Sequence, residues 1–424
     1  MKSAIFQRFI PDFEKTYAFD APASKSILNR ALLLAAFSDG DVFLKCASFA
    51  EDTHAFLNCF TALGIRYENR PNGILIHGTG KKIPNQNATL NVMNAGTCAR
   101  FLPAALSAIG GNYDFTAFAQ MKNRPMDFLT ELKKAGVEID FSEKENAFPF
   151  RLRSEGFKRR EFTVDTDTST QFASALLLAG AVGNAALRVN LTGSRTEGSY
   201  VLMTLSLLSA FGAEWTRNQN TVTVFPAKHF PKEFEVETDV SAACYFYALA
   251  LLFGITILVR GVKKNSLQGD IRFLELLERR GVRFTETETG LLADGSGISS
   301  FEGFQENFGD FSDQTLTAAA LAPFASTPSR ITGIGHIRRQ ECDRIEAIRK
   351  NLTALGVPCL CGENYIEISP AKPNGGTIET CHDHRVAMAF TLPALKTGTL
   401  VIDDPECCKK TFDGYFDEIK KLFS

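Results

Sequence analysis

The sequence predicts an α/β protein made of six copies of one unit, and two recurring features support this prediction. Each copy opens with a polar segment that leads into a helix of small and apolar residues. Successive segments lie 71 to 73 residues apart, beginning near Ser24, Ala95, Thr168, Asp239, Phe311 and His382. A register this constant over six units indicates internal repeats rather than chance.

The second feature is an amphipathic helix that ends at a glycine, after which a strand begins. Glycine is typical of the residue after a helix C-terminus, where φ is positive. The glycines are Gly64, Gly136, Gly212, Gly281 and Gly356, and the sixth such helix is predicted at Asp413–Leu422. The opening helices are apolar on every face and are expected to be buried, whereas the second helices carry charge on one face and are expected to cover the outside.

In chain order, the alternation of helical and strand patterns predicts the remaining elements. They are a strand or two within Ile5–Phe19, helices at Asp52–Leu63, Asn94–Ile109, Asp127–Ala135, Thr170–Leu178 and Tyr200–Phe211, and strands at Arg66–Glu68, Gly73–Gly78 and Thr221–Phe225. Pro226–Glu235 is polar and contains two prolines, so it is the predicted crossing between two domains of three units each.

Length and composition restrict the class of protein. With 424 residues, of which 45% are hydrophobic and 22% charged, the chain is typical of a soluble globular protein of two or three domains. The net charge of −2 gives no indication of binding to nucleic acid or to an anionic membrane. The N-terminus lacks the apolar core of a signal peptide, which predicts a cytoplasmic protein.

Two features that could suggest other classes are better explained by the repeats. The apolar run Ala242–Val259 has the length of a membrane span, but the repeat register divides it into a buried helix to Phe253, a turn at Gly254 and a strand from Ile255. The ten cysteines lack the paired spacing of a zinc site, so we expect reduced, structural thiols and no metal.

The residues suited to chemistry gather at the starts of the opening helices. Ser24 is a candidate N-cap, and Lys25 follows it in the first turn, where a cation opposes the helix dipole by roughly 0.3–1 kcal/mol. Free N–H groups, a lysine and, one turn later, Arg30 are typical of an anion site. Taken alone, Lys25 could equally be an ordinary exposed residue.

Several cations lie near such helix starts. If the helix N-termini converge on one cleft, that cleft is electropositive and suits substrates with several phosphate and carboxylate groups. Taken singly, each cation could instead be a surface charge. The candidates are Lys25, Arg30, Arg124, Arg344, Arg385 and Lys410.

Three further segments leave a structural alternative open. In Asn94-Ala95-Gly96-Thr97 the glycine lets a ligand approach the backbone at a helix start, but the segment could also be a simple cap. Glu341 heads an amphipathic helix, where a carboxylate also suits the dipole. Asp313 corresponds in position to Lys25, and it is either a cap or a general base.

Together these motifs resemble EPSP synthase, the family also called 3-phosphoshikimate 1-carboxyvinyltransferase. The resemblance extends over essentially the whole chain. It rests on Ser24-Lys25-Ser26 with Arg30, Asn94-Ala95-Gly96-Thr97 with Arg100, Arg124-Pro125, Ser169-Thr170-Gln171, Gln268-Gly269-Asp270, Glu341 with Asp343-Arg344, and Asp383-His384-Arg385 with Ala387-Met388.

The resemblance implies both a fold and a reaction. Residues 1–18 plus 236–424 would form a discontinuous domain I, residues 19–235 would form domain II, and the active site would lie in the cleft between them. The enolpyruvyl group of phosphoenolpyruvate would be transferred to the 5-hydroxyl of shikimate 3-phosphate by addition and elimination, in the shikimate pathway to chorismate and the aromatic amino acids. The resemblance implies no cofactor, no partner beyond these small molecules, and a monomer.

The resemblance also assigns roles to individual residues. Asp313 would accept the proton of the substrate hydroxyl, Glu341 would protonate the methylene of phosphoenolpyruvate, and Lys25 would contact both substrates. The residues assigned to phosphoenolpyruvate, and in the same pocket to glyphosate, are Gly96, Arg124, Gln171, Arg344, Arg385 and Lys410. Those assigned to shikimate 3-phosphate are Ser26, Arg30, Ser169 and Thr170, and Asn94 and Gln340 complete the substrate-binding set.

The chain departs from the family pattern at positions that normally contact shikimate 3-phosphate. Gln340 and His336 stand where many members have lysine and asparagine, and Arg338 and Arg339 are the candidates to replace the missing charge. Glu197 stands in place of a usual serine. Because a carboxylate repels a phosphate, we expect Glu197 to face away from this substrate.

Two alternatives are compatible with parts of the pattern. A UDP-N-acetylglucosamine enolpyruvyl transferase would place Lys-Asn where Lys25-Ser26 stands and a reactive cysteine before Arg124, and Phe118–Asn123 contains no cysteine. A non-catalytic anion-binding repeat protein would have no need of Asp313 and Glu341 among so many cations.

Overall fold

The computed structural model describes residues 3–46 and 48–424, which contain thirteen α-helices and twenty-three strands. The helices are α1 (Lys25–Ala36), α2 (Glu51–Leu63), α3 (Gly96–Ile109), α4 (Ala119–Lys122), α5 (Phe128–Lys134), α6 (Thr170–Val182), α7 (Ser199–Ala210), α8 (Val240–Phe253), α9 (Arg272–Glu278), α10 (Thr315–Leu321), α11 (Arg344–Ala354), α12 (His384–Thr397) and α13 (Tyr415–Lys420).

The strands alternate with these helices along the chain. They are β1 (Ala4–Ile5), β2 (Thr16–Phe19), β3 (Asp41–Lys45), β4 (Tyr67–Arg70), β5 (Gly73–His77), β6 (Asn87–Asn91), β7 (Gly111–Thr116), β8 (Glu138–Phe141), β9 (Phe150–Ser154), β10 (Glu161–Asp165), β11 (Leu187–Thr192), β12 (Trp215–Asn218), β13 (Thr221–Val224), β14 (Glu233–Glu235), β15 (Thr256–Arg260), β16 (Arg283–Glu286), β17 (Gly290–Asp294), β18 (Gln305–Asn307), β19 (Ser329–Thr332), β20 (Cys359–Cys361), β21 (Tyr365–Ile368), β22 (Gly376–Ile378) and β23 (Leu400–Ile402).

The chain divides into two compact units. The continuous unit is Ala23–Glu237, and the discontinuous unit consists of the segment that ends at Pro22 together with Thr238–Ser424. Each unit has a hydrophobic core of its own. The opening helices form the centre of these cores: α3 packs on α6 in the continuous unit, and α12 packs on α8 and α10 in the discontinuous unit.

One sheet topology is repeated, as the sequence predicts. In five sheets, one edge strand pairs in parallel with its neighbour, the two middle strands pair antiparallel, and the other edge strand pairs antiparallel with the second middle strand. The orders are β14-β3-β5-β4, β6-β7-β9-β8, β10-β11-β13-β12, β2-β15-β17-β16 and β18-β19-β21-β20. The sixth sheet, β22-β23-β1, has three strands. The predicted fold class of six α/β units is therefore confirmed.

Three sheets receive a strand from a distant part of the chain. β14 pairs in parallel with β3, so that Glu233 lies opposite Phe43, β2 pairs in parallel with β15, and β1 pairs antiparallel with β23. The segment Pro226–Glu235 looks like a linker because it is polar, but its end forms β14 of the continuous unit. The chain leaves that unit only after Glu237.

The repeats begin where the sequence places them. The residues that precede the first helical turn of each copy are Ser24, Ala95, Ser169, Asp239, Phe311 and Asp383. Ser24 stands at the N-cap position of α1, as predicted, but its side chain makes no capping hydrogen bond to the helix. The sixth second helix is shorter than predicted, because residues 413–414 form a turn before Tyr415.

The long apolar run divides as predicted. α8 ends at Phe253, Gly254 has a φ of 68°, and β15 starts at Thr256. Every residue of α8 except Ser241 is buried. Within the described ranges, no helix is long and apolar enough to cross a membrane. All ten cysteines are free thiols.

Candidate active site

Arg344 is hydrogen-bonded to three carboxylates of the discontinuous unit. It begins α11, whose N-cap Asp343 accepts a hydrogen bond from the backbone N–H of Glu346. Its buried guanidinium donates to an Oδ1 of Asp313 at 2.9 Å, to Oε2 of Glu341 at 2.9 Å and to Oδ2 of Asp383 at 2.7 Å. Burial alone would lower the pKa of Arg344, but these carboxylates raise it above its ordinary value, so the guanidinium stays charged.

Both predicted catalytic carboxylates have a second cationic partner. Asp313 Oδ2 lies 2.7 Å from Nη2 of Arg385, and Glu341 Oε1 lies 3.0 Å from Nζ of Lys410. Gln340 also accepts a hydrogen bond from Arg344. The structure thus brings six of the predicted residues into one connected cluster, namely Asp313, Gln340, Glu341, Arg344, Arg385 and Lys410.

Asp383 belongs to this cluster, although sequence reasoning gave it no role. It is the N-cap of α12, where it accepts a hydrogen bond from the backbone N–H of Arg385 at 2.9 Å, and it is fully buried. Cys381 and His382, just before it, have φ values of 53° and 55°, which non-glycine residues rarely adopt. In the sequence, the only indication of a role for Asp383 was its position at the start of the Asp383-His384-Arg385 motif.

In the continuous unit, Lys25 pairs with a residue that the sequence did not indicate. Its Nζ lies 3.0 Å from Oδ2 of Asp52, in the first turn of α2, and the two side chains are 16% and 6% exposed. The sequence places Asp52 at a helix start, where a carboxylate has an ordinary structural explanation. The pair holds the ammonium group at the start of α1.

Arg30 is a buried cation whose described neighbours are neutral. Its guanidinium donates to the backbone oxygen of Ser26 at 2.8 Å, to Oγ of Ser174 at 2.9 Å and to Oγ1 of Thr204 at 2.8 Å. Burial lowers the pKa of Arg30 to about 10, an effect that the neighbouring Tyr200 partly opposes. A buried cation that is satisfied only by hydroxyl and carbonyl groups favours a nearby anion.

Gly96 begins α3 beneath two guanidinium groups. A Cβ at this position would lie 3.0 and 3.1 Å from Nη1 and Nη2 of Arg124, and 3.2 Å from Nη1 of Arg100. Arg100 itself donates to the backbone oxygens of Gly96 and Pro125, at 3.1 and 2.6 Å. Two arginines at a helix N-terminus have the charge that suits an anion, and glycine is the residue that leaves room for them.

The other predicted residues of this unit lie at helix starts. Ser169 is the N-cap of α6, and its Oγ accepts a hydrogen bond from the backbone N–H of Gln171 at 3.2 Å, with Thr170 between them. Within the described residues, the buried Oδ1 of Asn94 and Oε1 of Gln171 have no hydrogen-bond partner. An unsatisfied buried polar atom costs about 1–3 kcal/mol, so both atoms suit contact with a ligand.

Comparison with known proteins decides the family. The model of the family described as EPSP synthase (3-phosphoshikimate 1-carboxyvinyltransferase) matches residues 18–419. The chain belongs to the EPSP synthase family. The curated 3-phosphoshikimate 1-carboxyvinyltransferase of Trichormus variabilis is 35% identical over 408 residues, which cover 95% of each chain. That of Vibrio campbellii is 34% identical over 409 residues, again 95% of each.

Solved structures support the same fold. The EPSP synthase of Acinetobacter baumannii has a TM-score of 0.79 and 24% identity, covering 99% of this chain and 97% of that one. The enolpyruvyl transferase NikO of Streptomyces tendae has a TM-score of 0.73 and 16% identity, covering 99% and 96%. The predicted family, fold class and enzyme class are confirmed, and neither alternative is favoured.

Glu197 and Gln340 are two of the positions that depart from the EPSP synthase pattern. Glu197 is 79% exposed and lies 3.5 Å from Arg217. Arg338 is fully engaged, with Oδ2 of Asp343 at 2.7 Å and the backbone oxygens of Gly362 and Glu363 at 2.7 and 3.2 Å. Arg338 is therefore a poor candidate to replace the charge that Gln340 lacks.

His336 shares a hydrogen bond with the residue before Asp313. Its Nε2 lies 2.8 Å from Oγ of Ser312. Among the described residues, no group of three or more His, Cys, Asp or Glu side chains could hold a metal ion. The side chains gathered here offer acid–base and anion-binding chemistry.

Proposed function

We propose that this protein transfers the enolpyruvyl group of phosphoenolpyruvate to the 5-hydroxyl of shikimate 3-phosphate, releasing inorganic phosphate. Membership of the EPSP synthase family supports this reaction. The observation that carries it in the structure is the cluster of Asp313 and Glu341 with Arg344, Arg385 and Lys410. Two carboxylates among three cations provide both proton transfer and recognition of anions, as this reaction needs.

The chemistry requires two proton transfers followed by an elimination. Asp313 takes the proton of the 5-hydroxyl of shikimate 3-phosphate as the hydroxyl oxygen attacks C2 of phosphoenolpyruvate. Glu341 protonates the methylene carbon at the same time, which gives a tetrahedral ketal. In the elimination, the Glu341 carboxylate takes a proton back from the new methyl group as the bond between C2 and the phosphate oxygen breaks. Lys25 assists the departing phosphate by its charge and by proton transfer. Positioned groups of this kind typically contribute about 10²–10⁴-fold each.

The cations have a second effect on Glu341. Arg344 and Lys410 lie 2.9 and 3.0 Å from its oxygens, and such neighbours favour the ionised carboxylate, which cannot donate a proton. The carboxylate and phosphate of phosphoenolpyruvate would compete for the same cations. Binding of this substrate would therefore neutralise the partners of Glu341 and favour the protonated form that the reaction uses.

The proposal includes residues of both units. Gly96, Arg124 and Gln171 would add to the phosphoenolpyruvate site, and the residues for shikimate 3-phosphate would be Ser26, Arg30, Asn94, Ser169, Thr170 and Gln340. We include in the proposal an active site between domain I and domain II, a monomeric state and a cytoplasmic location.

Release of inorganic phosphate tests the proposal. Phosphate should appear only when phosphoenolpyruvate and shikimate 3-phosphate are both present, together with one equivalent of enolpyruvyl product by mass spectrometry. Replacement of shikimate 3-phosphate by UDP-N-acetylglucosamine is the matched control and should give none. Turnover with the nucleotide sugar, or phosphate release that requires only one substrate, would overturn the assignment.

A further inference from the structure

Asp270 is a buried carboxylate that the proposed mechanism does not use. It lies in the 3₁₀ turn Gly269–Ile271 and is 4% exposed. Its Oδ2 accepts hydrogen bonds from Oγ of Ser241 and, at 2.9 Å, from Nε2 of Gln314. Both donors are neutral, and in the described part of the chain no cation lies within ion-pair distance of Asp270. Burying a charge without a cationic partner is costly, so this carboxylate calls for an explanation.

The hydrogen bond to Gln314 connects Asp270 to the proposed base. Gln314 follows Asp313 in the 3₁₀ turn Ser312–Gln314, and its Oε1 accepts a hydrogen bond from Oγ1 of Thr317 at 2.9 Å. Both ends of the Gln314 amide are thus fixed, and the turn that carries Asp313 is fixed with them. The carboxylate of Asp270 is therefore hydrogen-bonded to the residue that directly follows the proposed base in the chain.

Two arginines beside Asp313 lower its affinity for a proton, and a second carboxylate nearby would raise that affinity again. Arg344 and Arg385 contact the two oxygens of Asp313 at 2.9 and 2.7 Å. Opposite charges so close favour the ionised form and weaken a carboxylate as a base. A nearby negative charge acts in the opposite direction, because it favours uptake of a proton.

We propose that Asp270 is a positioning residue for Asp313: it fixes the turn that carries the base, and its negative charge restores the proton affinity that the two arginines remove. The inference rests on the proposed function, in which Asp313 accepts the proton of the substrate hydroxyl. In this role Asp270 acts through Gln314 and Asp313 and takes no part in proton transfer itself.

The electrostatic coupling supports this geometry. Burial raises the pKa of Asp270 to about 6, and repulsion by Asp313 contributes in the same direction, whereas Arg385 and the hydrogen bonds from Ser241 and Gln314 oppose the rise. Interaction between two titrating groups is reciprocal, so ionised Asp270 favours a proton on Asp313. Below about pH 6, Asp270 becomes neutral and this assistance is lost.

Other titratable and charged groups lie near Asp270 in the chain or in space. Burial raises the pKa of the Cys244 thiol well above its ordinary value, and the thiol stays neutral. Asp239 caps α8 by accepting a hydrogen bond from a backbone N–H, and the guanidinium of Arg272 on α9 is paired with Asp310 at 2.7 Å. The charges that act on Asp270 most strongly in the described part of the chain belong to Asp313 and Arg385, which form a pair.

The test is the pH dependence of kcat in the parent enzyme and in Asp270→Asn. The amide keeps an acceptor for Ser241 and Gln314 but removes the charge. The parent should lose kcat as the pH falls through about 6. We call this loss the step near pH 6. The variant should lack the step and should have, at pH 7.5, a kcat about tenfold below that of the parent. The KM for each substrate should stay within about twofold of the parent value.

Asp310→Asn is the matched control, because it removes a carboxylate that is 43% exposed from the same segment. It should leave the step near pH 6 in place. An Asp270→Asn profile that matches the parent, or a lower kcat that retains the step, would overturn the electrostatic role. A parent that releases no phosphate from the two substrates would instead overturn the proposed function.

A measurement without substrate keeps the inference testable in every case. The folded-state pKa of Asp270 is raised from 3.8, so its contribution to stability is present below that pH and is lost as the pH rises through about 6. Asp270→Asn lacks this loss. Its thermal midpoint relative to the parent should therefore rise between about pH 4 and pH 7, and a constant difference would contradict a buried, titrating Asp270.

Discussion

At the scale of residues, each proposed catalytic carboxylate is held by two cations. Asp313 contacts Arg344 and Arg385, and Glu341 contacts Arg344 and Lys410. A substitution to alanine would change the charge, the shape and the proton-transfer group together. Isosteric amides remove the proton transfer and preserve most of the shape, so they are the informative variants.

We expect Asp313→Asn and Glu341→Gln each to lower kcat by about 10²–10⁴-fold, the usual contribution of a positioned acid or base. Because each amide removes a negative charge beside Arg344, the anionic substrates should bind at least as tightly as to the parent. Steady-state kinetics and calorimetric titration measure the two effects. A kcat near that of the parent would remove the residue from the mechanism.

Gly96→Ala should raise KM for phosphoenolpyruvate by about tenfold, equivalent to ~1.4 kcal/mol. The methyl group would lie 3.0 Å from the guanidinium of Arg124, which must move, and it would also narrow the anion site. The φ of Gly96 lies outside the left-handed region, so α3 should remain intact.

Inhibition of Gly96→Ala by glyphosate should weaken in parallel. Gly40→Ala is the control, because a Cβ at Gly40 has no neighbour within 4 Å. An unchanged KM in Gly96→Ala would show that the arginines move aside without affecting binding.

At the scale of elements, the repeated joint is a second helix, a glycine and a strand. All five predicted glycines have φ values between 74° and 99°. Their surroundings differ, however. A Cβ at Gly212 would lie 2.0 Å from the backbone oxygen of His229, whereas a Cβ at Gly136 would meet only the flexible side chain of Lys158 at 2.8 Å. Only the former contact is with rigid backbone.

This difference predicts unequal costs in the same unit. Gly136→Ala should lower the free energy of unfolding by about 1–2 kcal/mol, the cost of a left-handed non-glycine residue. Gly212→Ala should cost clearly more, because the backbone at His229 must also move. Denaturant unfolding of both variants measures the difference, and equal values would contradict the clash.

At the scale of the whole molecule, the continuous unit contains every strand of its three sheets. β14 completes the first of them, and its Phe234 packs against Phe211 with ring centroids 5.1 Å apart. The discontinuous unit needs both ends of the chain, because β1 and β2 pair with β23 and β15. The two units therefore differ in whether a single fragment can form them.

A fragment of residues 23–237 should fold cooperatively. A fragment of residues 23–230 should have a thermal midpoint more than about 5 °C lower. At this size, a loss of about 1 kcal/mol in the free energy of unfolding shifts the midpoint by roughly 2–4 °C. The shorter fragment lacks β14 and the contact of Phe234. Circular dichroism during heating measures both midpoints. Equal midpoints would show that β14 contributes little to the unit.

The sequence predicted what repeats and missed what depends on distant packing. The helix starts and Gly254 follow from local composition, because apolar periodicity and turn residues are local signals. The pairing of β14 with β3 and the contact of Lys25 with Asp52 depend on how separate elements pack, which no local pattern encodes. The catalytic roles of Asp313 and Glu341 stay predictions, although their clustering was expected.

The pairing of β1 with β23 and of β2 with β15 also has a consequence for synthesis on the ribosome. These strands are synthesised well before their partners β23 and β15, which begin only at Leu400 and Thr256. The nascent chain can complete the continuous unit while Tyr17 and Phe19, which are buried in the finished protein, still lack a sheet. Unpaired apolar strands invite pairing with other chains, so this interval is where chaperones would be needed most.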